Sequence, residues 1–142
     1  MLAQIINEVK NAVVAAVKGV DDVASAIRGV VKNQVTGVVR DASAMATTAM
    51  DAVKDVVTGA LTGAVDAGVE VGSAAAAAVE EAVRTAESAG VSTADAVSGA
   101  VNGAIDAAES MGENAVGAVK NALSNVASLP KDLVDAAIKG RK

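Results

Sequence analysis

The polar residues of this chain offer little material for catalysis. Its adjacent carboxylates, Asp21–Asp22 and Glu80–Glu81, would point about 100° apart on a helix, whereas acid–base catalysis needs two groups that face one substrate. The chain has no histidine and no cysteine, so its serines and threonines lack their usual activating base and the commonest zinc ligands are missing. No phosphate-binding or calcium-binding loop pattern occurs. We therefore predict that the protein is not an enzyme, with no catalytic, cofactor-binding or metal-binding residue and no cofactor.

Glycines are the residues with the clearest spacing. Small residues four positions apart allow two helix backbones to approach closely, and such packing can offset the cost of about 1 kcal/mol of an interior helical glycine. The pattern favours close-packing glycines at a self-association interface, although an alanine- and glycine-rich composition can produce the same spacing without one. The pairs are Gly59 and Gly63, Gly68 and Gly72, and Gly99 and Gly103.

A repeat shows which elements must position these glycines. From Val9 to Gly140 the chain divides into six units of 22 residues, and each unit consists of two halves of 11 residues. Eleven residues complete three turns at about 3.67 residues per turn, so one face stays in register along a helix. This pattern predicts an all-α protein of long amphipathic helices with 11-residue periodicity, in a single repetitive region over residues 1–142 that packs in a helical assembly.

An apolar stripe about 130° wide runs along such a helix. It is formed by five places of each 11-residue half: the first, fourth, fifth, eighth and ninth. Arg28 is the only charged residue of the six units that falls in the stripe. Buried helix faces exclude unpaired charge, so we predict that the stripe is the buried, self-associating face. Its main residues are Val13, Val17, Val35, Val39, Val57, Leu61, Val79, Val83, Val101, Ile105 and Leu123.

The side chains of the stripe are small. They are mostly alanine and valine, and the chain contains no aromatic residue. A fully buried valine contributes about 1.5 kcal/mol or a little more, whereas ordering each residue costs about 1–2 kcal/mol. A lone chain of this composition is poorly equipped to form its own core. We expect other helices, further copies of the chain or an apolar non-protein surface to cover the stripe.

Three positions are candidates for breaks in the helical pattern. Gly90 can end a helix that restarts with Ser92 as N-cap, and Gly72 is a weaker candidate. Pro130 suits the start of a short C-terminal helix over about 130–139. Because the 11-residue phase continues across all three positions, each is compatible with a kink in one long helix or with a chain that folds back.

Charge and hydropathy limit the partners and the location. The net charge is -5, with 17 acidic and 12 basic residues that are interspersed along the chain. Nucleic-acid binding usually requires a basic patch, so we expect no nucleic-acid partner. Neither a signal peptide nor an apolar run of about 20 residues is evident. We expect a cytoplasmic protein, or one peripheral to a hydrophobic surface.

A family resemblance adds a second hypothesis. The segments VKNQVTGVV from Val31 and VKDVVTGALTGAVDAG from Val53 resemble the 11-residue regions of perilipins and synucleins and, in repeat length, exchangeable apolipoproteins. The resemblance implies a helix that folds on lipid droplets, lipoproteins or vesicles. The residues themselves favour a homo-oligomeric structural protein that self-associates into a bundle, tube or filament. The alternative is an amphipathic coat on lipid droplets, membranes or hydrophobic granules.

Overall fold

A computed structural model describes residues 2–41 and 48–140, without the side chains of residues 2 and 3. Every regular element in these ranges is an α-helix, which confirms the all-α prediction. Short connections separate the helices, and successive helices pack on one another. The chain is therefore folded back and is not one extended helix. The helices are α1 (Leu2–Val17), α2 (Val23–Asp41), α3 (Ala49–Asp66), α4 (Val71–Ser88), α5 (Thr93–Met111), α6 (Glu113–Ser124) and α7 (Lys131–Lys139).

The helices form a stack of two layers. One layer contains α1, α3, α5 and α7 in that order, and the other contains α2, α4 and α6. Each consecutive pair from α1 to α6 also packs across the layers, so α3, α4 and α5 have neighbours on several sides. The described helices thus form a globular bundle of folded-back helices, and each buries its apolar face on its neighbours. At the N-terminal end of the stack lie α1 and α2.

The apolar stripe becomes the buried seam between these helices. The residues at the first place of the six units, Val9, Val31, Val53, Ala75, Val97 and Val119, are all completely buried. The fifth-place residues are buried as well, from Val13 to Leu123. Other helices of the same chain therefore cover the stripe. Among the large hydrophobic side chains that the structure describes, Val20 alone is exposed, at 42% of its full accessibility.

Two matching turns end α3 and α4. Gly68 and Gly90 adopt φ values of +96° and +98°, which favour glycine. In each turn, the N–H of the following valine donates to a carbonyl five residues back, as in the link of 2.9 Å from Val69 to Ala64. The predicted break at Gly90 is confirmed. The break predicted near Gly72 occurs just before it, and Gly72 itself lies in the first turn of α4.

N-caps with the same spacing restart the helices. The side chains of Thr48, Glu70 and Ser92 each accept a hydrogen bond from the backbone N–H three residues later, at distances of 3.0, 2.9 and 3.2 Å. These bonds satisfy amide groups that have no partner within the helix. The predicted N-cap at Ser92 is thereby confirmed. Backbone N–H donors, first from Ser73 and then from Gly72, hold the pKa of the Glu70 carboxyl below its ordinary value.

Other breaks were not predicted or differ slightly from their predicted position. The chain also turns at Gly19 and Gly112, whose φ values of +75° and +122° again favour glycine. Pro130 directly precedes α7 and acts as its N-cap residue instead of being its first helical residue. The C-terminal helix, Lys131–Lys139, otherwise agrees with the predicted range.

Candidate functional site

The interface between α1 and α3 is built on glycines. A β-carbon placed on Gly59 would lie 2.5 Å from the backbone oxygen of Ile6, and one on Gly63 would lie 2.5 Å from the backbone oxygen of Lys10. Such distances are shorter than real contacts of a β-carbon, and the opposing atoms belong to a helix backbone. Only glycine therefore fits at these two positions while α1 and α3 keep their spacing.

The interface between α3 and α5 repeats this arrangement. A β-carbon on Gly99 would lie 2.6 Å from the backbone oxygen of Met50, and one on Gly103 would be closer still to that of Lys54. The hydroxyl of Thr58 donates across the interface to the carbonyl oxygen of Gly103 at 3.0 Å. The same hydroxyl lies 2.9 Å from the carbonyl oxygen of Lys54 in its own helix.

An ion pair borders each of these glycine interfaces. Lys10 Nζ lies 3.4 Å from Asp66 Oδ2, and Lys54 Nζ lies 3.7 Å from Asp106 Oδ2. Each aspartate follows the second glycine of its pair by three residues, and the two lysines are 44 residues apart. Because the pairs are partly exposed, they contribute little to stability. The aspartates are 40 residues apart, so the α1–α3 and α3–α5 interfaces use similar packing in registers that differ by about one helical turn.

The third predicted glycine pair has a different place in the fold. Gly68 lies in the turn after α3, and a β-carbon there would meet no atom within 4 Å in the part of the chain that the structure describes. A β-carbon on Gly72 would lie 3.2 Å from Glu70 Oε2, a flexible carboxylate in the same cap. Sequence spacing alone did not distinguish this pair from the other two.

The predicted self-association face is occupied within the folded chain. Of its residues from Val13 to Leu123, all are buried except Val39, which is half-buried. They belong to one continuous core with the alanines of α3, α4 and α5. These side chains therefore pack between helices of one molecule, and their contact with another copy stays a prediction.

The sole charge in the stripe has partners that sequence analysis missed. Arg28 Nη2 lies 2.6 Å from Glu80 Oε1, and Arg28 Nη1 lies 4.0 Å from Glu81 Oε1. Glu81 is buried and also binds Arg84 at 3.3 Å. The Ser128 hydroxyl donates to Glu80, and this bond and Arg28 hold the pKa of Glu80 below its ordinary value. The cluster links α2, α4 and the connection before α7, and its sequence signal was the unusual position of Arg28.

Asp55 on α3 is the most unusual titratable residue. It is 5% exposed, and its Oδ2 has no hydrogen-bond partner among the described residues. Burial raises the pKa of this carboxyl to about 6. No feature of the sequence distinguished Asp55 from the aspartates of the solvated face. The described residues contain no group of three candidate metal ligands.

The described residues form several open grooves, and two of them adjoin α1, α2, α3 and α5. One, of about 560 Å³, runs along α3 and α5 and is lined by Met50, Asp51, Lys54, Gly99, Asn102, Glu109 and Gly140. The other, of about 310 Å³, lies between α1 and α2 at the N-terminal end of the stack. We call it the end groove, and its lining residues are Gln4, Ile5, Glu8, Gln34, Gly37, Val38 and Asp41.

Comparison with known proteins assigns no family to this chain. No family model, no curated protein and no solved structure matches it. Among the described residues, no helix has the length and apolar character that a membrane span requires.

Proposed function

We propose that the protein is a non-enzymatic structural protein, a preformed helical stack that associates with further copies of itself. The observation that carries this proposal is the flank of α2 at the N-terminal end of the stack, which no described helix covers. The stripe itself is occupied inside the chain, so association would have to use another surface, and this flank is our candidate.

A comparison of α2 with α4, whose residues lie 44 positions later, indicates what this flank of α2 is suited to contact. On α4, the flank that faces α2 includes Glu81 and Thr85, and both are buried. The residues 44 positions earlier on α2 are Gly37, which is half-buried, and Asp41, which is exposed. The outer flank of α2 thus matches a helix-packing surface elsewhere in the chain, and it forms one wall of the end groove.

Gly37 provides a second argument for a helix at this flank. A β-carbon on Gly37 would meet nothing within 4 Å in the described part of the chain. An interior helical glycine nevertheless costs about 1 kcal/mol relative to alanine. At Gly59 and Gly103 the close approach of another backbone explains the glycine. At Gly37, a helix of a second copy in the end groove would find room for an equally close approach.

Sedimentation velocity with interference optics tests this proposal, because the chain has no tryptophan or tyrosine for absorbance at 280 nm. We expect lipid-free wild-type protein to form a discrete oligomer or polymer, and Gly37→Arg to shift it towards monomer. Gly29→Arg is the matched control, since Gly29 lies on the exposed face of the same helix and a β-carbon there also meets no described atom. A wild-type protein that stays monomeric, or equal masses for all three proteins, would refute the proposal.

A second candidate function, an amphipathic coat on a lipid surface, is favoured by the residues in the turns. Val20, Ala67, Ala89 and Ala127 occupy stripe places, yet they are exposed or half-buried in the stack. The folded stack does not require apolar residues there. One continuous helix adsorbed on lipid would require them, because a single face must then remain apolar through every former turn.

Flotation with phosphatidylcholine vesicles tests the coat function. Val20→Asp places a charge in the stripe but outside the folded core, so it should weaken flotation without lowering stability. Asn33→Asp adds the same charge on the exposed face of α2 and should float like the wild type. Wild-type protein that does not float, or equal flotation of the two variants, would contradict this candidate.

A further inference from the structure

The packing register places Asp55 under the first turn of α1. On successive turns of α3, Gly63 lies against Lys10 and Gly59 lies against Ile6. Extended by one more turn, this register would bring Asp55 to the backbone of the first turn of α1, near Leu2. The other flank of α3 carries Lys54, whose backbone contacts Gly103 of α5. We therefore assign Asp55 to the interface with α1, and the residue is 5% exposed with its Oδ2 buried.

The surroundings disfavour an ionised carboxylate at Asp55. Its Oδ2 finds no donor among the described residues, so burial removes water without replacing its hydrogen bonds. Asp51 on α3 and Asp106 on α5 add negative charge nearby. Lys54 on α3 is the neighbouring cation, and it pairs with Asp106 at 3.7 Å. Burial is the largest of these effects, and the pKa of Asp55 rises to about 6.

The charged side chains of α1 do not offset the free-energy cost of ionising the Asp55 carboxyl. Lys10 points to Asp66, two turns further along the interface, at 3.4 Å. Glu8 is exposed and lines the end groove. Neither side chain is among the groups that act on the Asp55 carboxyl.

We propose that Asp55 is a proton-dependent latch for α1, which packs tightly on α3 when the carboxyl is protonated and loosens when it ionises. When α1 is detached, water reaches Asp55 and its pKa returns to the ordinary value of 3.8. The detached form therefore loses its proton first as the pH rises. Detachment becomes more favourable from about pH 4 to pH 6 and stays so above that range. Loosening α1 would also remove one wall of the end groove, but the latch does not depend on the proposed self-association.

Hydrogen exchange of the full chain at pH 4.5 and pH 7.5, corrected for intrinsic exchange rates, tests the latch. We expect the opening equilibrium of α1 to rise between about 10-fold and 100-fold at the higher pH, since each pKa unit corresponds to a tenfold change. The protection of α4 should change much less. Asp55→Asn imitates the protonated carboxyl and should keep α1 protected at both pH values. Asp95→Asn removes an exposed acid from α5 and should leave the wild-type pH dependence intact.

Three results would overturn the latch. Equal protection of wild-type α1 at both pH values would show that ionisation has no effect. Loss of α1 protection in Asp55→Asn at both pH values would show that the carboxylate stabilises the first turn of α1. An equal loss in α4 would show global destabilisation. If Asp55→Asn fails to fold, a carbon-13 NMR titration of the Asp55 carboxyl in the wild-type protein tests the latch instead. A titration midpoint near pH 4 would refute the latch, and a midpoint near pH 6 would support it.

Discussion

Gly103 lies directly beneath the backbone carbonyl of Lys54, and no side chain can be accommodated between α3 and α5 at this point. Gly59 and Ile6 stand in the same relation between α1 and α3. The stack therefore keeps its spacing within one layer by contact between backbones instead of interdigitation of large side chains. This solution suits a chain that has no aromatic residue.

The first prediction compares two glycines in helix interiors. Gly103→Ala should lower the free energy of unfolding by about 2 kcal/mol, because the added methyl group forces α3 and α5 apart. Gly117→Ala should raise it by about 0.5–1 kcal/mol, since a β-carbon there meets no described atom and alanine favours the helix. Urea denaturation followed by circular dichroism at 222 nm measures both. Equal effects of the two substitutions would show that the close contact does not exist.

The second prediction concerns the hydroxyl of Thr58. Thr58→Val removes the hydrogen bond to the carbonyl of Gly103 and should cost about 1 kcal/mol. Thr62→Val is the matched control, because the Thr62 hydroxyl bonds the carbonyl of Thr58 within its own helix. We expect the control to have a much smaller effect on the urea midpoint. A Thr62→Val variant as unstable as Thr58→Val would argue against the bond between helices.

The third prediction concerns the ion pairs of Arg28. Arg28→Met should lower stability by about 2 kcal/mol, because Glu80 and the buried Glu81 lose a cationic partner. Adding Glu81→Gln should recover part of this loss by removing the buried charge. Chemical denaturation of the wild type, both single variants and the double variant gives the coupling energy. Strictly additive effects would contradict a contact between Arg28 and Glu81.

The fourth prediction is a pH dependence at the cap of α4. The Glu70 carboxyl has a lowered pKa in the folded chain, so its ionised form contributes stability above the ordinary value of 4.5. This contribution is lost as the pH falls through the lowered pKa. Glu70→Gln should therefore lower the melting temperature at pH 7, and the difference from the wild type should shrink in acid.

Glu113→Gln is the control for this cap. Glu113 also stands in the first turn of a helix, but α6 has no side-chain cap. Its substitution should have a smaller effect at pH 7. If the difference caused by Glu70→Gln persists unchanged in acid, the carboxylate is not what caps α4.

Parts of the candidate site could be predicted because they follow from local spacing. The pairs Gly59 and Gly63, and Gly99 and Gly103, were identified as close-packing residues, and the structure shows such packing between helices of one chain. Gly68 and Gly72 have the same spacing but fall at a turn. The burial of Asp55 was not predictable, since it depends on the α1–α3 register, which joins residues more than 50 positions apart.

The sequence by itself determined the helices, their buried face and the N-cap at Ser92, because periodicity, charge exclusion and capping act over one to three turns. Only the tertiary structure decided between one long helix and a folded stack, because the 11-residue phase continues through the turns and suits both. Packing also decided the partners of Arg28, and it left Asp55 Oδ2 without a hydrogen-bond partner among the described residues. Both depend on which distant helix lies opposite, and local spacing carries no information about that.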